Sequence, residues 1–259
     1  MSAPTDDIFA RARASSDRFD LWGTFLYAVE ARAVAEIGVY RGAFAARMLA
    51  RCPAIERYYM IDPWRHLDDW NKPANRNDET FKRLFQEAMD STAEHASRRV
   101  VLRGRTTEVI DEIPDGSLDF AYVDGDHTLR GITADLVRVY PKIREGGWIG
   151  GDDFARSIWQ HGPQFEPTLV FPFALYFAEA VGSRIYGLPH GQFLIEKGPD
   201  TGFEFVDLTG KYGPADLLSQ LTKRRPPSAL AEASSHPLTS TRSVLRKARN
   251  RLMTWTCRS

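Results

Sequence analysis

The stretch AYVDGDHTLRG (121–131) runs from apolar residues directly into two acids and an imidazole. Asp124, Asp126 and His127 lie within four positions of one another. Carboxylates bind cations and accept protons, and histidine changes charge near neutral pH. Because the preceding residues have the composition of a buried strand, the polar residues predict that this strand ends at a reaction centre.

Further acids follow other apolar runs. Asp62 closes RYYMID (57–62), and Asp152 with Asp153 closes GGWIGGDD (146–153). The carboxyl ends of parallel strands meet at one edge of a sheet, where functional groups concentrate. Three carboxylates there would repel one another unless a cation lay among them. Asp124, Asp152 and Asp153 therefore predict a site for Mg²⁺ or another divalent cation that prefers oxygen ligands. A helix cap remains the alternative for Asp152 or Asp153 taken singly.

Strand-like and helix-like segments alternate five times from residue 33 onward. This alternation predicts a doubly wound α/β sheet of parallel strands with right-handed crossovers. Beyond these strands, two β-rich runs within 183–198 indicate a hairpin at one sheet edge, and an aromatic-rich insertion precedes them at 155–181. The five strands are expected at 33–39, 57–63, 99–104, 118–125 and 147–154.

The first strand-to-helix junction reads EIGVYRGAF (36–44). Its glycines, Gly38 and Gly42, are four apart and do not form the GxGxxG dinucleotide pattern. They could nevertheless form a tight turn that lets backbone N–H groups approach a ligand at a helix start. An acid at the end of the second strand, here Asp62, can accept hydrogen bonds from both ribose hydroxyls. The pattern predicts a nucleoside-containing ligand.

Composition excludes several classes of protein. The net charge is zero, but from Lys211 onward ten Lys or Arg face two acids, so the tail carries about +8 and residues 1–210 about −8. An acidic body argues against nucleic-acid binding, and the lack of a long apolar run argues against a membrane span. Cys52 and Cys257 show no metal-ligand or redox spacing. A cytoplasmic protein is expected.

Three regions are predicted along the chain. Residues 1–31 contain two amphipathic segments that could form a lid over a ligand or a dimer contact. Residues 32–198 form the α/β domain. Residues 199–259 form a basic, partly disordered extension, because their composition offers little apolar area to bury.

The motifs EIGVYRG, YMIDPW, RGRTTEVI, YVDGDH and GGWIGGDDF occur in that order and resemble those of class I S-adenosylmethionine (SAM) dependent methyltransferases. The resemblance covers residues 30–198 and is strongest to the metal-dependent O-methyltransferases, such as the catechol and macrolide-sugar enzymes. It implies a Rossmann-like sheet of seven strands in the order 3-2-1-4-5-7-6, with strand 7 antiparallel.

The resemblance also implies roles for individual residues. The methionine side of SAM would lie against Glu36, Gly38, Tyr40 and Gly42, the ribose on Asp62, and the adenine beside Thr106. Asp124 would serve both the cofactor and, with Asp152 and Asp153, the metal ion. His127 would be the general base, in the position where catechol O-methyltransferases have lysine, and a near-neutral imidazole suits that role. Asp126 could orient His127, although a helix cap is favoured for it.

These features predict an O-methyltransferase that uses SAM and Mg²⁺ on a hydroxyl of a sugar or glycosylated metabolite. A phenolic acceptor is the alternative. Cephalosporin hydroxylases share the fold and much of the motif set, but would need iron ligands that the sequence does not clearly supply. A cofactor-binding module without activity is the non-enzymatic alternative. A homodimer or larger homo-oligomer is expected, with a small-molecule or oligosaccharide acceptor as the other partner.

Overall fold

A computed structural model describes residues 4–198 and 202–213, and all of them lie within one compact unit. The helices are α1 (Pro4–Arg13), α2 (Arg18–Ala28), α3 (Ala43–Arg51), α4 (Asp78–Ser91), α5 (Thr106–Val109), α6 (Leu129–Val139) and α7 (Val170–Ala180). The strands are β1 (Ala33–Ile37), β2 (Arg57–Asp62), β3 (Arg99–Arg103), β4 (Leu118–Val123), β5 (Ile143–Gly151), β6 (Arg184–Leu188), β7 (Gln192–Lys197) and β8 (Glu204–Asp207).

The strands form one sheet in the order β3-β2-β1-β4-β5-β7-β6-β8. β1 to β5 are parallel, and β7 runs antiparallel to both β5 and β6. The predicted Rossmann-like fold and its seven-strand order are therefore confirmed. An eighth strand, β8, pairs in parallel with β6 at the sheet edge.

The parallel strands are buried on both faces because helices cover each side. Alternate residues of a strand point to opposite faces, so Val34 of β1 lies in one hydrophobic layer and Ala35 in the other. The first layer contains the apolar faces of α2, α3 and α4. The second contains those of α5, α6 and α7. Continuous apolar runs such as AVAEI are what a doubly covered strand requires.

The N-terminal helix α2 packs tightly on the sheet. Leu21, Trp22, Phe25 and Leu26 are all buried. The ring of Trp22 passes so close to β5 that a Cβ on Gly150 would lie 2.3 Å from it. The helix thus belongs to the core of the α/β unit, and the predicted role of residues 1–31 as a lid or dimer contact stays a prediction.

The second predicted boundary falls at residue 198, and β8 begins six residues later. The sheet therefore continues into the segment predicted as the start of the extension. Residues 214–259, which hold most of its basic side chains, lie outside the described residues. None of the helices among the described residues is long and apolar enough to cross a lipid bilayer.

Candidate active site

The acids of β4 and β5 lie side by side at the carboxyl edge of the sheet. Val123 pairs with Gly151 in the ladder, so the next residues, Asp124 and Asp152, leave neighbouring strands together. The N–H of Asp152 donates to the carbonyl of Val123 (3.1 Å), and that of Asp124 to the carbonyl of Ile37 in β1 (2.8 Å). The predicted convergence of these carboxylates is confirmed.

An arginine that the sequence analysis did not identify lies between the two acids. Nη1 of Arg18 donates to Oδ2 of Asp124 at 3.0 Å and also to Oδ2 of Asp152. Arg18 is the first residue of α2, and its side chain is 34% exposed. A cation in the first turn opposes the helix dipole. That unfavourable position is the only sequence signal that could have marked Arg18.

Asp152 is held by further donors from the core. Its Oδ1 accepts from Nε2 of Gln192 (2.6 Å) and from the N–H of Asp153 (2.8 Å). The other end of Gln192, Oε1, accepts from the indole of Trp22 (2.7 Å) and the hydroxyl of Tyr122 (3.0 Å). This network fixes the orientation of Asp152, because Gln192, Trp22 and Tyr122 are buried side chains of the packed sheet and of α2.

His127 lies between the other two carboxylates of the cluster. Its Nδ1 is 2.5 Å from Oδ2 of Asp153, and its Nε2 is 3.3 Å from Oδ1 of Asp124. Nε2 makes no well-oriented hydrogen bond to any described residue. Asp153 adopts a left-handed backbone conformation (φ 56°), which is strained for an L-residue. A carboxylate that holds Nδ1 orients the imidazole so that its free Nε2 can take part in proton transfer.

The environment of His127 differs from the near-neutral imidazole that the sequence analysis expected. Burial by itself would lower its pKa, but the neighbouring carboxylates of Asp124 and Asp153 raise the pKa to about 10. The imidazole is therefore protonated on both nitrogens, and positively charged, at neutral pH in this arrangement. The carboxylate that contacts Nδ1 of His127 is that of Asp153 rather than Asp126. Oδ1 of Asp126 instead accepts from the N–H of Thr128 (2.9 Å). Thr128, not Asp126, caps α6.

The described residues do not fit a divalent metal ion. No group of three or more potential ligands among them is arranged to hold one. Each carboxylate of Asp124, Asp152 and Asp153 already accepts from a cationic side chain, and Arg18 Nη1 lies between two of them. A divalent ion beside a guanidinium would meet like-charge repulsion. The carboxylates converge as predicted, and their charge is balanced by Arg18 and His127. An iron centre of the kind a cephalosporin-hydroxylase-like enzyme needs would require two histidines and a carboxylate as ligands. The described residues contain no such group of ligands.

The proposed ribose acid, Asp62, lies at the end of β2 beside the glycine turn. Its two oxygens accept from the backbone N–H groups of Tyr40 (2.9 Å) and Trp64 (2.8 Å). Burial raises the pKa of Asp62 to about 6, against the opposing effect of those two N–H donors. Each oxygen retains a lone pair, so an ionised Asp62 could accept a further hydrogen bond on either side.

The glycine turn brings β1 close to β4. Gly38 has φ 88°, and a Cβ there would lie 2.0 Å from the carbonyl oxygen of Asp124. Gly42 precedes α3 with φ 76° and faces the backbone of Ala88. Tyr40, between them, also has positive φ (54°), and its carbonyl accepts from the indole of Trp64 (2.9 Å). The turn is thus shaped by backbone contacts that leave no room for side chains on its glycines.

Two predicted cofactor residues are committed to protein partners. Glu36 is 2% exposed and accepts from the hydroxyl of Tyr58 (2.7 Å), and burial raises its pKa well above the usual value. Thr106 donates to Asp135 of α6 (2.5 Å) and is 5% exposed. Burial raises the pKa of Asp135 to about 7. Asp135 was not predicted, because nothing in its helical spacing separates it from a solvated acid.

The loop after β2 and the loop after β5 are joined to each other. Lys72, 5% exposed, donates to the carbonyls of Glu166 (2.9 Å) and Pro167 (3.0 Å) and to the hydroxyl of Thr168 (3.1 Å). Nδ2 of Asn71 donates to the carbonyl of Gln164 (2.7 Å). Both loops leave the carboxyl edge of the sheet, so their junction lies on the side where the acids converge.

Replacing Lys72 with methionine is expected to destabilise the protein by about 2 kcal/mol or more, because three polar partners lose a charged donor. Lys82→Met is the matched control, since its ammonium is exposed and pairs only with Glu79 among the described residues. That change should alter stability by less than ~0.5 kcal/mol. Urea unfolding of the two variants measures the difference, and equal losses would contradict the assigned role of Lys72.

Residues 35–154 match the model of a family described as a methyltransferase domain. The matched region contains the glycine turn, Asp62, Thr106 and the whole acid cluster from Asp124 to Asp153. Together with the fold, the match supports a class I SAM-dependent methyltransferase. No curated protein matches the chain at a significant level of sequence similarity.

Several solved structures share the fold at low sequence identity. A candidate caffeoyl-CoA O-methyltransferase from Staphylococcus aureus is 14% identical, with a TM-score of 0.54 over 76% of this chain and 93% of its own. The O-methyltransferase TomG from Streptomyces achromogenes, in complex with SAM, is 14% identical, with a TM-score of 0.51 over 76% and 91%. A cofactor-bound protein from MTB is 17% identical, with a TM-score of 0.50 over 75% and 89%.

The raised pKa of Asp62 predicts how donor binding depends on pH. Only the ionised carboxylate can accept both ribose hydroxyls, so affinity for S-adenosylhomocysteine should be constant above about pH 6 and fall below it. The expected loss is ~tenfold for each pH unit below the pKa. Calorimetric titration between pH 5 and pH 8 measures it.

Two variants distinguish the protonation of Asp62 from a general loss of structure at low pH. Asp62→Asn should bind more weakly and lose the pH dependence. Asp68→Asn changes a fully exposed acid of the same loop and should behave as the wild type. A wild-type affinity that does not change between pH 5 and pH 8 would remove Asp62 from the binding site.

Proposed function

We propose that this protein transfers the methyl group of SAM to a hydroxyl oxygen of a small acceptor. The observation that carries the proposal is the pairing of Asp153 with His127, which leaves Nε2 beside Asp124 at the carboxyl end of β4. The glycine turn and Asp62 lie at the ends of the adjoining strands β1 and β2. The methyltransferase family match supports a methyl donor at this edge.

In this proposal the donor lies across the ends of β1, β2 and β4. Asp62 accepts the ribose hydroxyls, and Gly38 allows the donor to approach the backbone, because no Cβ intervenes. Tyr40 and Gly42 flank the methionine portion at the start of α3. Glu36 and Thr106 shape the pocket indirectly, through their hydrogen bonds with Tyr58 and Asp135.

Methyl transfer at this site is a single displacement. The acceptor oxygen attacks the methyl carbon while the carbon–sulfur bond breaks and its electron pair goes to sulfur. The hydroxyl proton passes to Nε2 of a neutral His127, whose Nδ1–H is held by Asp153. The products are a methyl ether and S-adenosylhomocysteine. The raised pKa makes the neutral imidazole a strong base but a minor species at neutral pH.

We propose a sugar or glycosylated metabolite as the acceptor. Support comes from the polar character of the site: three carboxylates, Arg18 and His127 offer many partners to vicinal hydroxyls. The joined loops at Lys72 and Thr168 would limit the size of the acceptor from above.

We also propose that the protein forms a homodimer. Sedimentation velocity measures the oligomeric state, and a monomer would contradict this part of the proposal.

Transfer of a labelled methyl group tests the proposal. The protein is incubated with methyl-labelled SAM and either glycosides with vicinal hydroxyls or catechols, and the products are separated. Label in a sugar methyl ether supports the proposal in full. Label only in catechol ethers keeps O-methyl transfer and overturns the sugar acceptor. Absence of label from every acceptor, with S-adenosylhomocysteine still bound, contradicts the proposed reaction.

A further inference from the structure

The position of Arg18 suggests how the acid cluster keeps its charge balanced. Its guanidinium contacts Asp124 and Asp152, the two acids that leave β4 and β5 side by side. His127 contacts Asp124 and Asp153. Every carboxylate of the cluster thus has a cationic partner from the chain itself.

The backbone that carries Arg18 is firmly fixed. Trp22 lies one helical turn further along α2, on the same side, is fully buried, and donates to Gln192. Asp17 caps the helix by accepting from the N–H of Asp20 (2.8 Å). Gln192 in turn donates to Asp152, so helix and acid are tied to the same buried amide. The packed core therefore fixes the backbone of Arg18 beside the acids. A residue on a surface segment without such packing would have many more positions open to its side chain.

Contacts already made by the carboxylates disfavour a divalent ion among them. The guanidinium of Arg18 contacts Oδ2 of Asp124 and Oδ2 of Asp152. The other oxygen of Asp152 accepts from Gln192 and from the N–H of Asp153. A divalent ion on these oxygens would have to displace Arg18 or lie against its positive charge, which Coulomb repulsion disfavours.

We infer that Arg18 takes the place that a divalent cation has in the metal-dependent O-methyltransferases this chain resembles, so that methyl transfer here needs no divalent metal. The inference rests on the proposed function. Arg18 is then a positioning residue: it holds the carboxylates of Asp124 and Asp152 in a fixed orientation beside His127.

Binding of Mn²⁺, followed by electron paramagnetic resonance, tests the inference without any acceptor. Wild type should bind no Mn²⁺ at the cluster. Arg18→Met frees two carboxylates and should bind one Mn²⁺ per chain, and Arg18→Met with Asp152→Asn should lose it again. Arg18→Lys should restore exclusion, because it returns a cation. Arg51→Met removes an ion pair with Asp20 and a hydrogen bond to Thr24, both on the helix that carries Arg18, and should behave as the wild type.

Two results would overturn the inference. One is stoichiometric Mn²⁺ binding by wild type that disappears in Asp152→Asn. The other is an Arg18→Met variant that is folded by circular dichroism, binds S-adenosylhomocysteine and still excludes Mn²⁺. Where methyl transfer is observed, activity retained in excess chelator supports the inference, and activity lost and restored by Mg²⁺ overturns it. Failure of the proposed reaction would leave the Mn²⁺ result unaffected.

Discussion

His127→Ala is expected to lower the rate of methyl transfer by ~10²- to 10⁴-fold, the range associated with loss of a general base. The variant removes the only imidazole that contacts the acid cluster within the described part of the chain. Donor binding should persist, because Asp62 and the glycine turn do not contact His127. Single-turnover rates with labelled SAM measure the first effect, and calorimetry with S-adenosylhomocysteine measures the second.

The pH profile distinguishes a base from a structural cation. Only neutral imidazole accepts a proton, and the pKa of His127 is raised to about 10. The wild-type rate should therefore rise with pH through the neutral and alkaline range. His66→Ala, which changes an exposed histidine in the loop after β2, should retain the wild-type rate and profile. A His127→Ala variant with near-normal turnover would rule out the proposed base.

Gly38→Ala is expected to cost about 4 kcal/mol or more of folding stability, in the range reserved for severe local clashes. The added Cβ would lie 2.0 Å from the carbonyl oxygen of Asp124 and 2.7 Å from Cα of Gly125, both backbone atoms. Neither can move without separating β1 from β4, since the N–H of Asp124 donates to the carbonyl of Ile37. Urea unfolding measures the loss.

Gly116→Ala is the matched control for this substitution. Gly116 also has positive φ (65°), but nothing lies within 4 Å of its added Cβ. Its cost should be only the left-handed backbone penalty of about 1 to 2 kcal/mol. The difference between the variants isolates the contact between β1 and the start of the β4 loop. Similar losses at the two positions would show that this contact is not tight.

The predicted acids were found because two simple rules act on them together. Apolar runs locate parallel strands, and the residues directly after such strands lie at the carboxyl edge of the sheet. Asp62, Asp124 and Asp152 obey both rules, so their convergence could be predicted from the sequence. The cationic partner of Asp124 and Asp152 could not, because Arg18 approaches from a helix more than 100 residues away in the chain.

Helix α7 could not be predicted as a helix because its sequence is apolar on nearly every side. VFPFALYFAEA lies within the segment read as an aromatic insertion, and Pro172 is in its first turn. A helix that is apolar on nearly every side lacks the 3.6-residue contrast on which prediction depends. Proline in the first turn is tolerated because those N–H groups have no partner within the helix. The structure distinguishes this helix from a loop by its packing against α6 and β6.

The ends of β5 and the presence of β8 depend on pairing rather than on local pattern. β5 begins at Ile143, four residues before the predicted start, because Gly146 (φ 72°) carries the chain through an irregularity opposite β4. β8 is only four residues long and adds to the edge beside β6. Short edge strands carry little sequence signal, since one side of the ladder is unpaired.

A crystal structure with bound S-adenosylhomocysteine tests the central claim most directly, namely that donor and base meet at the carboxyl ends of β1, β2 and β4. The account predicts ribose hydroxyls on Asp62, the sulfur facing Nε2 of His127, and the donor backbone against Gly38. A nucleoside bound away from Asp62, or a sulfur separated from His127 by the protein backbone, would contradict it.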